Sequence, residues 1–509
     1  MRSTAFVAFA SSLFALAAFS CGNGKAPGNP DASTVDAGDD GAVTTFSYTP
    51  AGCNYTVTPT NDGLSPTGGA FLNLAPDDTA PPSGDITPSL VRVGVGGGTD
   101  ATAPGYADPT KTAAFTWQTP TATNAAKLKI GTSATSLTTT QTGYSWTTPQ
   151  GLGTTMMYMH SVHVCGLTPG TTYYYEVGGG PTGSETWSAV QSFTTVPPAS
   201  QSMTVGVFGD ARDTLTTWQL VHERMQQAGV AIQLIPGDIV DIGANGDLWQ
   251  QWLTAIWKDP NDSSKFLTLG QQMMLPIAGN HEAEAAQFYG NWAIPQGAQY
   301  ASTYASIDVG NTHFVMIDDD FSALQTDYTQ DPANTLLTWL KADLDHANKN
   351  RTNVPFIVAL SHRGLYSTSN HSTDPDVLAA RGVFAPIYDQ YSVDLVFNGH
   401  DHEYERSKPV KAGNPPSGDP VVGSVDGNNN PVAGTGTTYV ICAGAGADPY
   451  AVGEITKSYS LKQVAFGNNT PYIGTYSLLT LNGNSLVVNA YGLKASGTDD
   501  VIDTITLSH

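Results

Sequence analysis

Two hydrophobic rhythms divide the chain. Across 88–197, short stretches such as AFTWQ (114–118), KLKIG (127–131) and TYYYEV (172–177) alternate apolar and polar positions. A period of two predicts the strands of a small antiparallel sandwich, and Pro169-Gly170 predicts a turn between two of them. After Val196-Pro197-Pro198 the rhythm changes. Apolar runs now alternate with helical stretches: 204–208 then 216–227, 232–235 then 247–257, 273–277, 313–317 then 334–346, 356–360 then 377–391, and 394–397. This alternation predicts an α/β domain, spanning 200–509, with sheets between helices. The tail from 437 to 507 returns to strand-like runs (TTYVICAG, YSLLTL, SLVVNAYG, VIDTITL) and is expected to complete the second sheet.

Residues 1–20 follow a different pattern, with Arg2 ahead of an apolar run over 5–19. That run is too short to span a bilayer and has the layout of a signal peptide, so the chain is expected to be exported. Ala18 and Ser20 before Cys21 resemble a bacterial lipoprotein signal, although Ala18 stands where that signal usually carries Leu. The expectation is a lipid anchor on Cys21 in the cell envelope, with a freely secreted form as the alternative. Residues 21–87 read as tether and linker, since 22–45 is rich in Gly, Pro, Ala, Asp and Asn without apolar periodicity. With Cys21 lipidated, Cys53, Cys165 and Cys442 allow at most one disulfide: either a Cys53–Cys165 bridge or three buried thiols.

Composition removes several functions. The 509 residues carry a formal net charge of −23, which excludes neutralisation of nucleic-acid phosphates and leaves a lipid anchor as the only membrane contact. Charged residues make up 13% where about 25% is usual, and Gly 53 with Pro 32 favours strands and turns over surface helices.

The chemistry lies at the ends of the apolar runs. Five of them close on Gly209-Asp210, Gly237-Asp238, Gly279-Asn280-His281-Glu282, Ser361-His362 and Gly399-His400-Asp401-His402. In α/β sheets, ligands bind beyond the carboxyl ends of the strands, so these clusters are expected to meet at one rim. Two Asp, one Asn and three His form an N and O donor set without thiolate, which suits two hard or borderline ions and not a structural zinc. His160 and His163 fall on opposite faces of one alternating strand and read as structural. Asp318 to Asp320 read as a solvated strand end, and Glu405 with Arg406 as supports for the preceding loop.

These clusters in this order resemble the calcineurin-like metallophosphoesterases, and among them the purple acid phosphatases; GHDHEYER at 399–406 is close to that family's most specific motif. HVCGLTPGTTYYY at 163–175 is similar to the signature of fibronectin type III-like domains, which also precede the enzyme domain in that family. The resemblance covers about 88–509 and implies an all-β fibronectin-like sandwich at 88–197 followed by a four-layer αββα phosphoesterase domain. It assigns Asp238 as the carboxylate shared by two metal ions. Asp210 and His402 complete one site; Asn280, His362 and His400 complete the other. The ions are Mn, Zn or Fe.

The same resemblance implies a phosphatase acting on small phosphoric monoesters, in which a hydroxide bridging the ions attacks phosphorus in line. The alternatives are a phosphodiesterase and a surface binding protein with a vestigial centre. His281 matches the family's candidate for contacting phosphate or protonating the leaving oxygen. His371 matches a pocket histidine, and Arg363 is a candidate phosphate clamp, with an exposed salt bridge as the alternative. Two positions depart from the family. Asp241 stands where its metal-binding Tyr belongs, and Arg212 stands where related enzymes often place a His. Asp241 is expected either to bind the metal or to pair with Arg212. A protein without that tyrosinate is expected to be pale and to prefer two divalent ions.

Overall fold

The computed structural model describes residues 49–57, 70–72, 84–103, 106–123, 126–147, 151–155, 158–181, 183–259, 262–282, 285–295, 304–319, 335–450, 452, 457–467 and 469–509. The expected signal peptide at 1–20, Cys21, the part of the expected tether up to 48 and Asp320 lie outside the described residues. Ala42–His509 form one compact unit.

Among the described residues, three large sheets carry the fold. The strands Met203–Val207, Ile232–Pro236 and Met273–Ile277 lie parallel in an eleven-stranded sheet. Tyr304–Val309, Thr312–Ile317, Phe356–Ser361, Leu395–Asn398, Thr438–Cys442, Tyr404–Ser407 and Ser460–Val464 form a seven-stranded sheet in that spatial order. Alternation sorts the side chains of this second sheet. Phe314, Met316, Val358, Leu360, Leu395 and Phe397 join the core shared with the first sheet, whereas Val315, Ile317, Ile357, Ala359 and Val396 pack with Leu336, Leu340 and Phe384 of helices Thr335–Lys349 and Pro375–Gln390.

On the first sheet, helix Leu215–Gln227 buries Trp218, Val221 and Met225, and helix Gly246–Ala255 buries Trp249 and Leu253, within the shared core. Spacings of three and four put these residues on single helix faces. The order helix, sheet, sheet, helix is therefore a consequence of two amphipathic layers covering two sheets.

The N-terminal strands do form a sandwich, but not a separate one. The five-stranded sheet holding Thr172–Gly179 and Gln191–Thr194 packs onto Ala113–Thr119 through Phe115, whose ring lies 4.6 Å from Tyr175 and 5.3 Å from Phe193. The opposing layer belongs to the eleven-stranded sheet, because Ser89–Gly94 runs parallel to Met273–Ile277 with Val93 beside Met273. One apolar core thus crosses the expected boundary near 197–200.

The tail corrects a second expectation. Only Thr438–Cys442 and Ser460–Val464 join the second sheet; Gly474–Asn482, Ser485–Leu493 and Asp500–Ser508 extend the first from the edge of Met203–Val207. A buried apolar strand cannot leave one edge unpaired, and the last three strands cover it.

Cys53 and Cys165 are disulfide-bonded, and Cys442 is a buried free thiol. His160 binds Thr119 and Ser145, and His163 binds Tyr55, all by buried side-chain hydrogen bonds. Burial pushes both imidazoles down to about 3, so they stay neutral in the core.

Candidate metal centre

The five polar clusters meet. Each follows a parallel strand, and three of the residues at the turns, Asp210, Asp238 and His400, have φ of 61°, 53° and 72°. Left-handed backbone is costly for these residues, and it turns their side chains sharply back across the strand ends. The preceding glycines are required by space. A Cβ on Gly399 would lie 2.4 Å from Asp210 Oδ2, and one on Gly279 would lie 2.3 Å from Asp238 Oδ1.

Asp210, Asp238 and His362 are buried and each offers a donor atom within 4.8 Å of the others. Around them, His362 Nε2 lies 3.0 Å from Asn280 Oδ1 and 3.3 Å from Asp238 Oδ1, and His402 Nε2 lies 3.7 Å from Asp210 Oδ1. The rings of His362 and His400 are 5.1 Å apart. The six expected ligands are thereby brought to one place.

Backbone carbonyls orient the imidazoles. His362 Nδ1 donates to Pro236 O at 2.8 Å, His402 Nδ1 to Asp448 O at 2.7 Å and His281 Nδ1 to Asp241 O at 2.6 Å. Each bond leaves Nε2 as the nitrogen facing the carboxylates, the arrangement that metal-binding histidines adopt.

The electrostatics ask for a cation. Asp210 Oδ2 is buried and has no hydrogen-bond partner among the described residues. Burial and the nearby Asp238 charge push the Asp210 carboxyl well above the usual range. Burial pulls His400 well down and, with Arg212, lowers His402 to about 4, so both are neutral donors. His362 goes the other way, because Asp238 and Asp210 outweigh its burial and raise it. Two buried carboxylates with one oxygen unpartnered among the described residues and three imidazoles call for positive charge at this place, so the donor set fits a metal pair.

The remaining candidates divide. His281 Nε2 stands 3.9 Å from Asp238 Oδ2, at the edge of the centre. His371 packs its ring 4.3 Å from that of His400, with Nδ1 bound to Asp374 at 2.8 Å. Asp241 is paired with Arg212 at 3.0 Å and is 46% exposed, the second of the two arrangements open to it.

Arg363 corrects the phosphate-clamp expectation. Its side chain is only 3% exposed, with Nε and Nη2 on Asp376 at 3.0 and 2.9 Å and Nη1 on Asp319 O. Asp318 and Asp319 are also buried rather than solvated, since Asp319 accepts the backbone N–H groups of His362 and Arg363 and fixes that loop. Glu405 binds Thr368 and Ser460, and Arg406 binds Asp503, in supporting roles.

Sequence reasoning missed Tyr450. Its ring stacks on His402 at 4.2 Å, and its hydroxyl is 3.2 Å from His371 Nε2. It sits in a loop without periodicity, so no local pattern pointed to it.

Residues 103–195 match the family model for the purple acid phosphatase N-terminal domain, and residues 203–404 match that for calcineurin-like phosphoesterases. The chain carries a purple acid phosphatase N-terminal domain followed by a calcineurin-like phosphoesterase domain, and in this it is purple acid phosphatase-like. It is 28% identical over 267 residues to purple acid phosphatase 18 of Arabidopsis thaliana, covering 50% of this chain and 54% of that one. To phosphoenolpyruvate phosphatase of Allium cepa it is 25% identical over 315 residues, 58% of this chain and 59% of that one. It therefore spans little more than half the length of these curated relatives. A purple acid phosphatase from yellow lupin (Lupinus luteus) seeds shares the fold, with a TM-score of 0.65 at 17% identity over 83% of this chain and 74% of that one.

Proposed function

We propose that this metallophosphoesterase is an exported phosphatase that hydrolyses phosphoric monoesters with two metal ions. The observation that carries the reading is the convergence of buried Asp210, Asp238 and His362, with an unpartnered Asp210 oxygen, at the ends of parallel strands. Asp210, Asp238 and His402 would hold one ion; Asp238, Asn280, His362 and His400 would hold the other. Two such ions supply charge for the phosphoryl oxygens and lower the pKa of a water nucleophile.

The chain's own residues do the rest. The Pro236 and Asp448 carbonyls keep His362 and His402 in the tautomer that can ligate. His281, tethered through Nδ1 to Asp241 O, keeps Nε2 beside Asp238, where a proton can pass to the leaving oxygen. His371, oriented by Asp374, packs against His400.

Export rests on the segment 1–20 and on the Cys53–Cys165 disulfide, which belongs to an oxidising compartment. Among the described residues no helix is long and apolar enough to cross a membrane. Lipid on Cys21 is tested by the mass of the mature N-terminal peptide.

The activity is tested by turnover of p-nitrophenyl phosphate and bis-p-nitrophenyl phosphate after chelation and after return of Mn, Zn, Fe or Mg. Monoester turnover that is lost on chelation and restored by metal is the expected result. Preference for the diester would make the protein a phosphodiesterase, and no turnover of either would leave a binding protein.

A further inference from the structure

With Arg363 committed to Asp376 and Asp319, the guanidinium that adjoins the metal centre is Arg212. Its Nη1 donates to Asp241 Oδ1 at 3.0 Å, and this is its one hydrogen bond among the described residues. Its Nε is buried with no hydrogen-bond partner among the described residues and lies 3.9 Å from Oδ2 of Asp238, the carboxylate both ions would share. Asp213 stands 3.7 Å from Nη1, farther than Asp241 and beyond hydrogen-bond distance. A guanidinium has five N–H donors, so most of this one is unspent beside the Asp238 carboxylate.

We propose that Arg212, held in place by Asp241, binds the phosphoryl group of the substrate and selects monoesters over diesters. The proposal rests on the phosphatase reading and deepens it. The Asp241 pair fixes the long side chain before substrate arrives, which lowers the entropy lost on binding. The donors left over form a fork that matches two oxygens of one phosphate. A monoester offers three non-bridging oxygens and nearly two negative charges; a diester offers two oxygens and one charge. A fixed cation beside the shared carboxylate therefore favours the monoester.

The test uses the metal-loaded protein and its Arg212→Met and Arg212→Lys variants, with three readouts: metal content, inorganic phosphate binding by calorimetry, and kcat/KM on the two nitrophenyl esters. Arg212→Met is expected to retain both ions, to weaken phosphate binding about 30-fold, and to lose about 30-fold on the monoester with a loss at least several-fold smaller on the diester. Arg212→Lys should recover part of the phosphate affinity. Unchanged phosphate affinity, equal losses on the two esters, or loss of metal would overturn the proposal, the last by making Arg212 a support of the metal loop. If the wild-type protein bound phosphate through Arg212 but hydrolysed neither ester, the phosphatase reading would fail while the binding role stood.

Discussion

The carboxylate of Glu282 accepts the backbone N–H of Asp238 at 2.9 Å. It takes those of Ile239 and Val240 at 2.8 and 3.2 Å, and that of Gly279 at 2.8 Å. One buried side chain thus ties two of the polar turns together, and it sets the left-handed turn at Asp238. A glutamine has one acceptor oxygen and cannot serve four donors. Glu282→Gln is expected to lower metal affinity by about 10- to 100-fold with the fold retained, as measured by metal titration and circular dichroism.

Asp238→Asn and His400→Ala should each lower phosphatase activity at least about a hundredfold, because the two ions act as a unit. Near wild-type turnover in either variant, with its metal content measured, would remove the two-metal assignment.

His281 is expected to behave differently. Its Nδ1 is held by Asp241 O and its Nε2 lies at the edge of the centre. His281→Ala should therefore slow turnover while metal content is kept. Metal loss in that variant would make His281 a ligand instead.

The visible spectrum tests Asp241. The purple colour needs a tyrosinate on ferric iron, whereas Asp241 holds Arg212, Tyr450 is bound to His371, and Tyr404 donates to Asp503 at 2.9 Å. The purified protein should be colourless or pale and hold two divalent ions, Mn or Zn before Fe. A strong tyrosinate–ferric band with stoichiometric iron would refute this. Asp241→Tyr gaining colour with iron would support it.

His313 gives a pH test away from the centre. It lies buried between Asp308 and Asp343, at 2.8 and 2.9 Å. Burial pulls its pKa down, but the two carboxylates outweigh burial and push it up to about 10. A histidine raised in the folded state adds stability that is fully present below its ordinary 6.5 and is lost as pH rises through about 10. Thermal stability should fall across that window. His313→Gln should flatten the fall and cost about 3 kcal/mol at neutral pH; a variant with the wild-type pH profile would show that His313 carries no such charge.

The five polar turns were legible in the sequence because their cause is local. A buried apolar strand followed by a polar residue, with Gly between them in four of the five, specifies both a sharp turn and a donor at its tip, and five in order specify a rim. Alternation in the same way marked the N-terminal strands. The partners of these pieces were not legible. Whether 474–508 covers the edge of Met203–Val207 or extends the second sheet depends on which edge the rest of the fold leaves open. The same holds for Ser89–Gly94, which joins the phosphoesterase sheet. Arg212 shows it at the scale of one side chain: its spacing from Asp210 gave the departure from the family, but its pairing with Asp241 and the withdrawal of Arg363 into a buried ion pair depend on positions distant along the chain. Periodicity and turn chemistry are properties of neighbouring residues, so the sequence carries them openly. Sheet order, ion pairing and the approach of Tyr450 to His402 are set by packing among distant segments, and only the tertiary structure decides them.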